Sequence, residues 1–490
     1  MSTERRRWAA LIVLCTGMLM IVLDLTVVNV ALSSIQADLG FSEASLAWVV
    51  NAYMIAFGGL LLLAGRIGDL VGRRRVFLAG LALFTVASLA CGLAQSAGVL
   101  VAARFVQGIG GAMTSAVILG MIVTMFPEPR EQARAIGAFA FVASAGGAVG
   151  LLAGGLLTQT INWHWIFFIN IPFGVLTGLL ALRLVDHEDG LGLREGTDVL
   201  GALTVTAALM LGVYAIVGPA ATDGWRAAPT LWFGAASLVL LGLFVLRELT
   251  AANPLVPMGI FRSRNVTGAN LIQIASVAGM FGIFFMGSLY LKKVLGYDPM
   301  GIGLAFLPTT VLMGALSVRF TEPLVSRFGA RPVMVTGLVL IAFGLVVFTQ
   351  APVDGHYMQH VLPVMVLLGV GAGLAFPSLM TLAMSGATGE NAGLASGLVN
   401  TTAQVGAALG LAVLATLSAS RTAVLGDEGA GTKSALTGGY HLAFWVAAGL
   451  VVVSVAIALL VLQPVATDVD DADDARDDVR EAVAAGVSPS

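Results

Sequence analysis

Residues Trp8–Leu32 read WAALIVLCTGMLMIVLDLTVVNVAL, an apolar run in which Asp24 is the one charged residue. About 20 apolar residues in a helix cross the hydrocarbon core of a bilayer, which is about 30 Å thick. The run is too long for the apolar region of a signal peptide and lacks a clear small-residue cleavage pattern, although three arginines precede it. It predicts a retained membrane-spanning helix.

The composition of the whole chain extends this prediction. Of the 490 residues, 58% are hydrophobic and 11% charged, and the mean hydropathy is +0.94. Soluble domains carry about 25% charged residues, so most of this chain cannot face water. The composition excludes a disordered protein, a nucleic-acid binder and a disulfide-stapled secreted fold. Cys15 and Cys91 lie in apolar runs, where we interpret them as packing residues. The predicted fold class is an all-α polytopic membrane protein.

Apolar runs of spanning length recur along the chain and predict fourteen membrane spans. Their predicted bounds are 9–32, 46–64, 76–95, 99–121, 135–158, 166–185, 199–218, 229–248, 266–290, 300–320, 333–350, 360–382, 393–418 and 440–462.

The distribution of basic residues predicts the orientation. With fourteen spans, most of the 25 Lys and Arg residues fall on the side of the two termini, and five fall opposite: Arg226, Lys292, Lys293, Arg421 and Lys433. Because basic loops favour the cytoplasmic side, we expect both termini in the cytoplasm. We expect the membrane to be the plasma membrane of a bacterial cell.

A short sequence repeat occurs twice in the chain. Each copy begins in a segment that follows one predicted span and precedes the next. The repeated residues are Gly72, Arg74, Val76 and Gly80, matched in order by Gly329, Arg331, Val333 and Gly337. Parallel repeats are common in transporters, although basic loops on one side of a membrane also resemble each other by default.

Two ionisable residues lie clearly within predicted spans, away from the span ends, where such groups are costly and usually functional. Asp24 in span 1 and Arg104 in span 4 are expected at similar depth in the outer half of the membrane. One interpretation is a structural ion pair. The other is a protonation switch, because desolvation and a nearby cation act in opposite directions on how tightly a carboxylate holds a proton. We favour the switch, with Arg104 tuning Asp24.

Amides and aromatic side chains accompany these charges. Gln107 shares a helix face with Arg104, and two further pairs follow helical spacing. Such polar faces either join helices or line a cavity, and both interpretations remain open. The candidate cavity residues are Asn29, Asn51, Gln107, Asn270, Gln273, Phe281, Phe284, Asn400 and Gln404.

Span 5 carries glycines at a spacing that permits close helix contact. They are Gly146, Gly150, Gly154 and Gly155. The sequence contains no recognised catalytic or metal-binding motif, so we expect neither an enzyme nor a cofactor.

Several motifs resemble those of the major facilitator superfamily. GRIGDLVGRRR (Gly65–Arg75) is similar to its signature between helices 2 and 3. Further motifs are similar to those of its fourteen-helix drug:proton antiporters: LDLTVVNVAL (Leu23–Leu32), RFVQGIGGA (Arg104–Ala112), WHWIFFINIPFG (Trp163–Gly174), LGYDPMGIGLAFLP (Leu295–Pro308) and GLASGLVNTTAQVGAALG (Gly393–Gly410).

This resemblance implies two six-helix bundles around a central cavity, with helices 7 and 8 inserted between them. The expected divisions are 1–185, 186–265, 266–463 and a disordered acidic tail, 464–490.

The resemblance also assigns roles to particular residues. It implies that the segment containing Gly65 and Gly72 holds a cytoplasmic charge latch formed by Asp69, Arg73 and Arg74, and that Arg104 takes part in proton coupling. Leu151 stands where the family's helix-5 motif usually has proline, so this helix is expected to be straighter.

The expected function is export of lipophilic drugs or antibiotics in exchange for protons, by alternating access. We expect a monomer in the lipid bilayer, driven by the proton gradient, with no cofactor and no nucleic acid. The alternatives are an exporter dedicated to one self-made natural product and a proton-coupled uptake symporter.

Overall fold

The structure is a computed structural model that describes residues 3–126, 128–186, 190, 192, 198–251, 254–384 and 392–463. The predicted acidic tail, 464–490, lies outside these residues.

Within the described ranges the chain is helical, and fourteen long helices follow one another. Their bounds are α1 Thr3–Leu39, α2 Trp48–Val71, α3 Arg73–Gly92, α4 Ala97–Met125, α5 Pro129–Thr160, α6 Asn170–Leu184, α7 Val199–Ala215, α8 Ala228–Thr250, α9 Arg264–Lys293, α10 Pro299–Arg319, α11 Ala330–Phe348, α12 Leu362–Met384, α13 Ala392–Asp427 and α14 Thr432–Leu460.

These helices agree with the fourteen predicted spans. Thirteen stretches of the described chain are long and apolar enough to cross a membrane, and α5 carries a shorter apolar stretch, Val149–Thr160. Helix α10 continues through Pro308, so the proline does not divide this span. The turn Trp165–Phe168 precedes α6. The fold-class prediction of an all-helical membrane protein is confirmed.

The first six helices pack against one another, and so do the last six. In the first bundle α4 packs on α2 and α3, while α1 packs on α5 and α6; in the second bundle α12 packs on α10 and α11, while α9 packs on α13 and α14. The second set repeats the first with each helix number raised by eight. Helices α7 and α8 pack on each other, and α7 also packs on α2. The chain therefore has two related six-helix bundles with two inserted helices, as expected.

The internal repeat has the same geometry in both bundles. Gly72 precedes α3 with φ 105°, and Gly329 precedes α11 with φ 83°, a region that side-chain-bearing residues rarely adopt. Arg74 donates to a carbonyl in the last turn of α6, and Arg331 donates to carbonyls in the last turn of α14. A cation at a helix C-terminus satisfies carbonyls that lack helical partners. The repeated residues thus join the third helix of each bundle to the sixth.

We call the side on which α1 begins and α14 ends the terminal face, and the other side the opposite face. Near the opposite face, α5 contacts α10. A Cβ built on Gly155 would lie 2.8 Å from the Pro299 carbonyl oxygen, and Gln159 Nε2 donates to Asp298 Oδ2 at 3.0 Å. Close backbone contact and one hydrogen bond therefore join the bundles here, at the α5–α10 seam.

A second seam joins α2 to α13. A Cβ built on Gly58 would lie 2.6 Å from Gln404 Cβ, and one built on Gly397 would lie 2.7 Å from Leu62 Cδ2. Since α2 runs towards the terminal face and α13 away from it, this α2–α13 seam extends from the middle of the molecule towards the terminal face. The two helix pairs, α5 with α10 and α13 with α2, are related by the same repeat that relates the bundles, although these contacts lie at different depths.

Candidate functional site

The two charged residues predicted within spans form an ion pair. Arg104 Nη1 contacts Asp24 Oδ2, and the residues are 0% and 2% exposed. Helix α4 contributes the arginine and α1 the aspartate. A buried charge without a partner is very unfavourable, so this pairing is what permits both charges inside the bundle.

Three further polar side chains complete a network around Asp24. Gln107 Nε2 donates to Asp24 Oδ1 at 2.8 Å and to Ser88 Oγ at 2.6 Å. Asn170 Nδ2 donates to the same two oxygens at 3.3 and 3.2 Å. The carboxylate thus receives hydrogen bonds from α4 and α6, and both amides also bind the α3 hydroxyl. All five side chains lie within the first bundle.

Arg104 has partners besides Asp24. Its Nε donates to the Val49 carbonyl at 2.9 Å, and its Nη1 donates to Gln107 Oε1 at 2.7 Å. The guanidinium carbon lies 4.4 Å from the centre of the Tyr53 ring, a distance at which a cation is attracted to an aromatic face. If the carboxylate lost its charge, the guanidinium would therefore still have the Val49 carbonyl, Gln107 Oε1 and the Tyr53 ring as partners.

The two carboxylate oxygens of Asp24 have different partners. Asp24 Oδ1 accepts from two amides, whereas Oδ2 faces the arginine. A proton on Oδ2 would take the place of the Arg104 contact and weaken the link between α1 and α4, leaving the hydrogen bond from Gln107 to Oδ1. The geometry therefore suits a group whose charge state alters helix packing.

Sequence reasoning found Asp24, Arg104 and Gln107 but missed Ser88 and Asn170. Both are buried, with 0% and 2% exposure. Asn170 was visible as a polar residue within the apolar part of WHWIFFINIPFG. Ser88 gave no signal, because serine is common in spanning helices and bonds readily to its own backbone.

The Gly65–Arg75 segment lies at the terminal-face ends of α2 and α3. Asp69 Oδ1 accepts from Arg73 Nε at 3.1 Å and Nη2 at 2.9 Å, and Arg73 Nη1 donates to the Gly120 carbonyl of α4 at 3.3 Å. A Cβ on Gly68 would collide with Val117, so α2 and α4 approach closely at this point. These contacts fasten the α2–α3 turn within the first bundle.

The candidate cavity residues do not form one group. Gln107 lies in the ion-pair network described above. Asn51 is 0% exposed, and neither of its amide atoms has a hydrogen-bond partner among the described residues. Asn29 is 5% exposed and donates to the Leu25 carbonyl of its own helix, while its oxygen has no partner in the described part of the chain.

The remaining amides lie on α9 and α13. Asn270 accepts from Thr402 Oγ1 at 2.9 Å, which joins these two helices, and Gln273 is 9% exposed one turn further on. Asn400 is exposed and Gln404 half-buried. Asn270 therefore joins helices, whereas Asn400 and Gln404 present polar surface beside the α2–α13 seam.

The two candidate phenylalanines form an aromatic cluster with a third. Phe281 and Phe284 are half-buried on α9, with ring centres 6.5 Å apart, and Phe284 stacks on Phe306 of α10 at 5.3 Å. The cluster gives the second bundle an apolar surface that is still partly accessible.

Three of the α5 glycines face α1. Cβ atoms built on Gly146 and Gly154 would lie 3.0 Å from Leu19 Cδ1 and 2.9 Å from the Val27 carbonyl oxygen, and Gly150 is crowded by α1 in the same way. Gly155 faces the α5–α10 seam instead. Helix α5 is continuous from Pro129 to Thr160, with Leu151 buried within it. The glycine stripe thus brings α1 and α5 into backbone contact.

Comparisons with known proteins agree with this architecture. A puromycin resistance protein of Streptomyces alboniger is 37% identical over 465 residues, covering 94% of this chain and 92% of that protein. A cephamycin export protein of Amycolatopsis lactamdurans is 37% identical over 454 residues, covering 92% and 91%.

Solved structures show the same fold at lower identity. A bacterial homologue of the human lysosomal transporter Spinster, in an inward-facing and unoccupied conformation, has a TM-score of 0.65 at 17% identity, over 93% of this chain and 97% of that chain. A family model described as Major Facilitator Superfamily matches residues 14–411. The chain belongs to the Major Facilitator Superfamily.

Proposed function

We propose that this protein is a secondary active transporter that exports lipophilic drugs or antibiotics in exchange for protons, by alternating access. The relatives named above are a resistance protein and an export protein for antibiotics. The observation that carries the proton coupling is the Asp24–Arg104 pair, buried within the first bundle.

The proposal includes an orientation. The excess of basic residues at the terminal face supports placing that face, with both termini, in the cytoplasm of a bacterial cell. The α5–α10 seam then lies near the outer surface.

The proton step uses the network of the first bundle. With Asp24 ionised, Arg104, Gln107 and Asn170 hold the carboxylate and thereby join α1, α4 and α6. Protonation at Oδ2 removes the ion pair, while the Val49 carbonyl and the Tyr53 ring keep the guanidinium in place. The two charge states therefore favour different packings of α1.

On this proposal, the substrate contacts the partly accessible surface between the bundles. The aromatic cluster of Phe281 and Phe284 offers apolar contact, and Asn400 and Gln404 offer hydrogen bonds. Such a mixture suits lipophilic molecules with a few polar groups. A proton taken up from the outer side would favour the state that releases substrate, and its release inside would complete the cycle.

Efflux from proteoliposomes under an imposed pH gradient tests this role. Asp24→Asn should abolish gradient-driven efflux, whereas Asp427→Asn, the same change at an exposed site on α13, should leave it unchanged. Size-exclusion chromatography and binding of a fluorescent substrate establish that each variant is folded. Asp24→Asn with wild-type proton-driven efflux would refute the assignment.

A second candidate is an exporter dedicated to one natural product. Its support is that both relatives are named for one antibiotic each. Resistance of a host strain to a panel of unrelated lipophilic compounds distinguishes the two: a dedicated exporter protects against one chemical class, and a multidrug exporter against several.

A further inference from the structure

The inserted helices α7 and α8 hold two buried acids away from the site described above. Asp198 caps the start of α7 and Glu248 lies in the last turn of α8, and each is 3% exposed. Asp198 Oδ1 accepts from the Gly201 amide at 2.9 Å and from Arg247 Nε at 2.7 Å. Its other oxygen, Oδ2, is buried and has no partner among the described residues.

As in Asp198, only one carboxylate oxygen of Glu248 has a hydrogen-bond partner among the described residues. Its Oε2 accepts from the Val256 amide at 2.8 Å, which ties the segment after α8 to the end of that helix. Its Oε1 is buried and, within the described residues, also lacks a partner.

The two unpartnered oxygens face the same space. A Cβ built on Gly201 would lie 2.6 Å from Asp198 Oδ2 and 2.9 Å from Glu248 Oε1, so the absence of a side chain there leaves both oxygens directed at one small volume. Counting the described residues alone, two carboxylates and Arg247 leave one negative charge uncompensated. A buried, unpaired charge is strongly disfavoured, and one added positive charge would remove it.

The segment that Glu248 holds lies between the bundles. Leu255 and Val256 are buried in one apolar cluster with Leu63 of α2, Val266 of α9 and Leu398 of α13. Helices α2 and α13 form one of the two seams, and this cluster lies at its terminal-face end. Release of the segment would remove two apolar side chains from the junction.

We propose that Asp198 and Glu248 form a second proton-binding site, which fastens the inserted hairpin across the terminal-face end of the α2–α13 seam. The proton sits on Glu248 Oε1 and is donated to Asp198 Oδ2, while Oε2 continues to accept from the Val256 amide. Asp198 remains the ionised partner because it caps a helix N-terminus and pairs with Arg247. The site does not depend on the role of Asp24.

In the part of the chain that the structure describes, the charged groups on the surrounding helices are few. Arg247 of α8 contacts Asp198 directly and its side chain is 44% exposed. Arg262 and Arg264, at the start of α9, are exposed, and Arg66 of α2 is half-buried. Asp69 and Arg73 pair with each other. Of the described charged groups, Asp198 and Arg247 are the two that act on Glu248.

The test is thermal unfolding of the purified full-length protein as a function of pH, in choline chloride. One bound proton changes the ratio of folded to unfolded protein by up to tenfold per pH unit, and stability should fall as pH rises through the range in which the site loses its proton. Glu248→Gln imitates the protonated acid, because its amide can donate to Asp198 and its oxygen can accept from Val256. This variant should lose that pH-dependent component and retain the low-pH stability.

Two controls separate this proposal from others. Glu428→Gln, the same change at an exposed glutamate, should keep the wild-type pH profile, and Asp198→Asn should flatten it as Glu248→Gln does. In infrared difference spectra, the band of a protonated carboxylic acid should disappear in Glu248→Gln. An unchanged pH profile in Glu248→Gln would overturn the proposal. So would stabilisation by sodium chloride at high pH that Glu248→Gln abolishes, since the site would then bind a metal cation.

Discussion

Replacement of Asn51 would measure how much a buried polar side chain without hydrogen bonds lowers the free energy of unfolding. Its side chain is fully buried on α2, and neither amide atom has a partner among the described residues. Asn270 is a matched reference on α9: it is 4% exposed, its nitrogen donates to the Val266 carbonyl at 2.8 Å, and its oxygen accepts from Thr402. Replacement of each by leucine should have effects of opposite sign.

The magnitude follows from the two environments. Burial of an amide without hydrogen bonds costs about 1–3 kcal/mol in proteins, and leucine of similar size avoids this cost, so Asn51→Leu should raise the free energy of unfolding by about 2 kcal/mol. Asn270→Leu loses the hydrogen bond between α9 and α13 and should lower it by about 1 kcal/mol. Thr402 keeps a second acceptor in the Val399 carbonyl, which limits the loss.

Unfolding titrations with sodium dodecyl sulfate in mixed micelles measure both changes. The reasoning is refuted if Asn51→Leu destabilises the protein as much as Asn270→Leu does, because Asn51 would then be making hydrogen bonds.

Two further predictions concern the helices at the α5–α10 seam. Gly150→Val should separate α5 from α1 and greatly reduce the yield of folded protein in size-exclusion chromatography, whereas Gly242→Val, at a glycine with no atom within 4 Å of its built Cβ, should not; equal yields would contradict the close packing. Gln159→Leu removes the hydrogen bond across the seam, and a cysteine at Met300 should then react several-fold faster with an impermeant maleimide applied from outside. An unchanged rate would show that this bond does not hold the seam.

The spans were predictable because a bilayer imposes length and hydropathy directly on sequence. The pairing of Asp24 with Arg104 was predictable for a related reason: two opposite charges at similar depth have few other ways to be neutralised. The repeat was a weak sequence signal, and it gained physical meaning once Arg74 and Arg331 were found at equivalent helix ends.

The amides could not be assigned from sequence. Helical spacing indicates which residues share a face, but it does not indicate which helix that face meets. Gln107 proved to face the ion pair, Asn270 a neighbouring threonine, and Asn51 no described polar group. Asp198 and Glu248 lie near the ends of the inserted helices, where charged residues are usually solvated, so their burial had no signature in the sequence.

The position of Asp24 has a consequence for how coupling must work. Its network lies inside the first bundle, whereas the partly accessible aromatic and amide side chains lie on the second, so on the proposed mechanism proton and substrate occupy separate sites. Helix α1 connects the two regions, since it carries Asp24 on one face and packs through glycines on α5, which forms a seam with α10. On the proposed mechanism, protonation removes the ion pair and so weakens the hold of α4 on α1, and the glycine contacts oblige α5 to move with α1. The seam then opens because α1 has moved, and the proton acts at a distance through backbone packing.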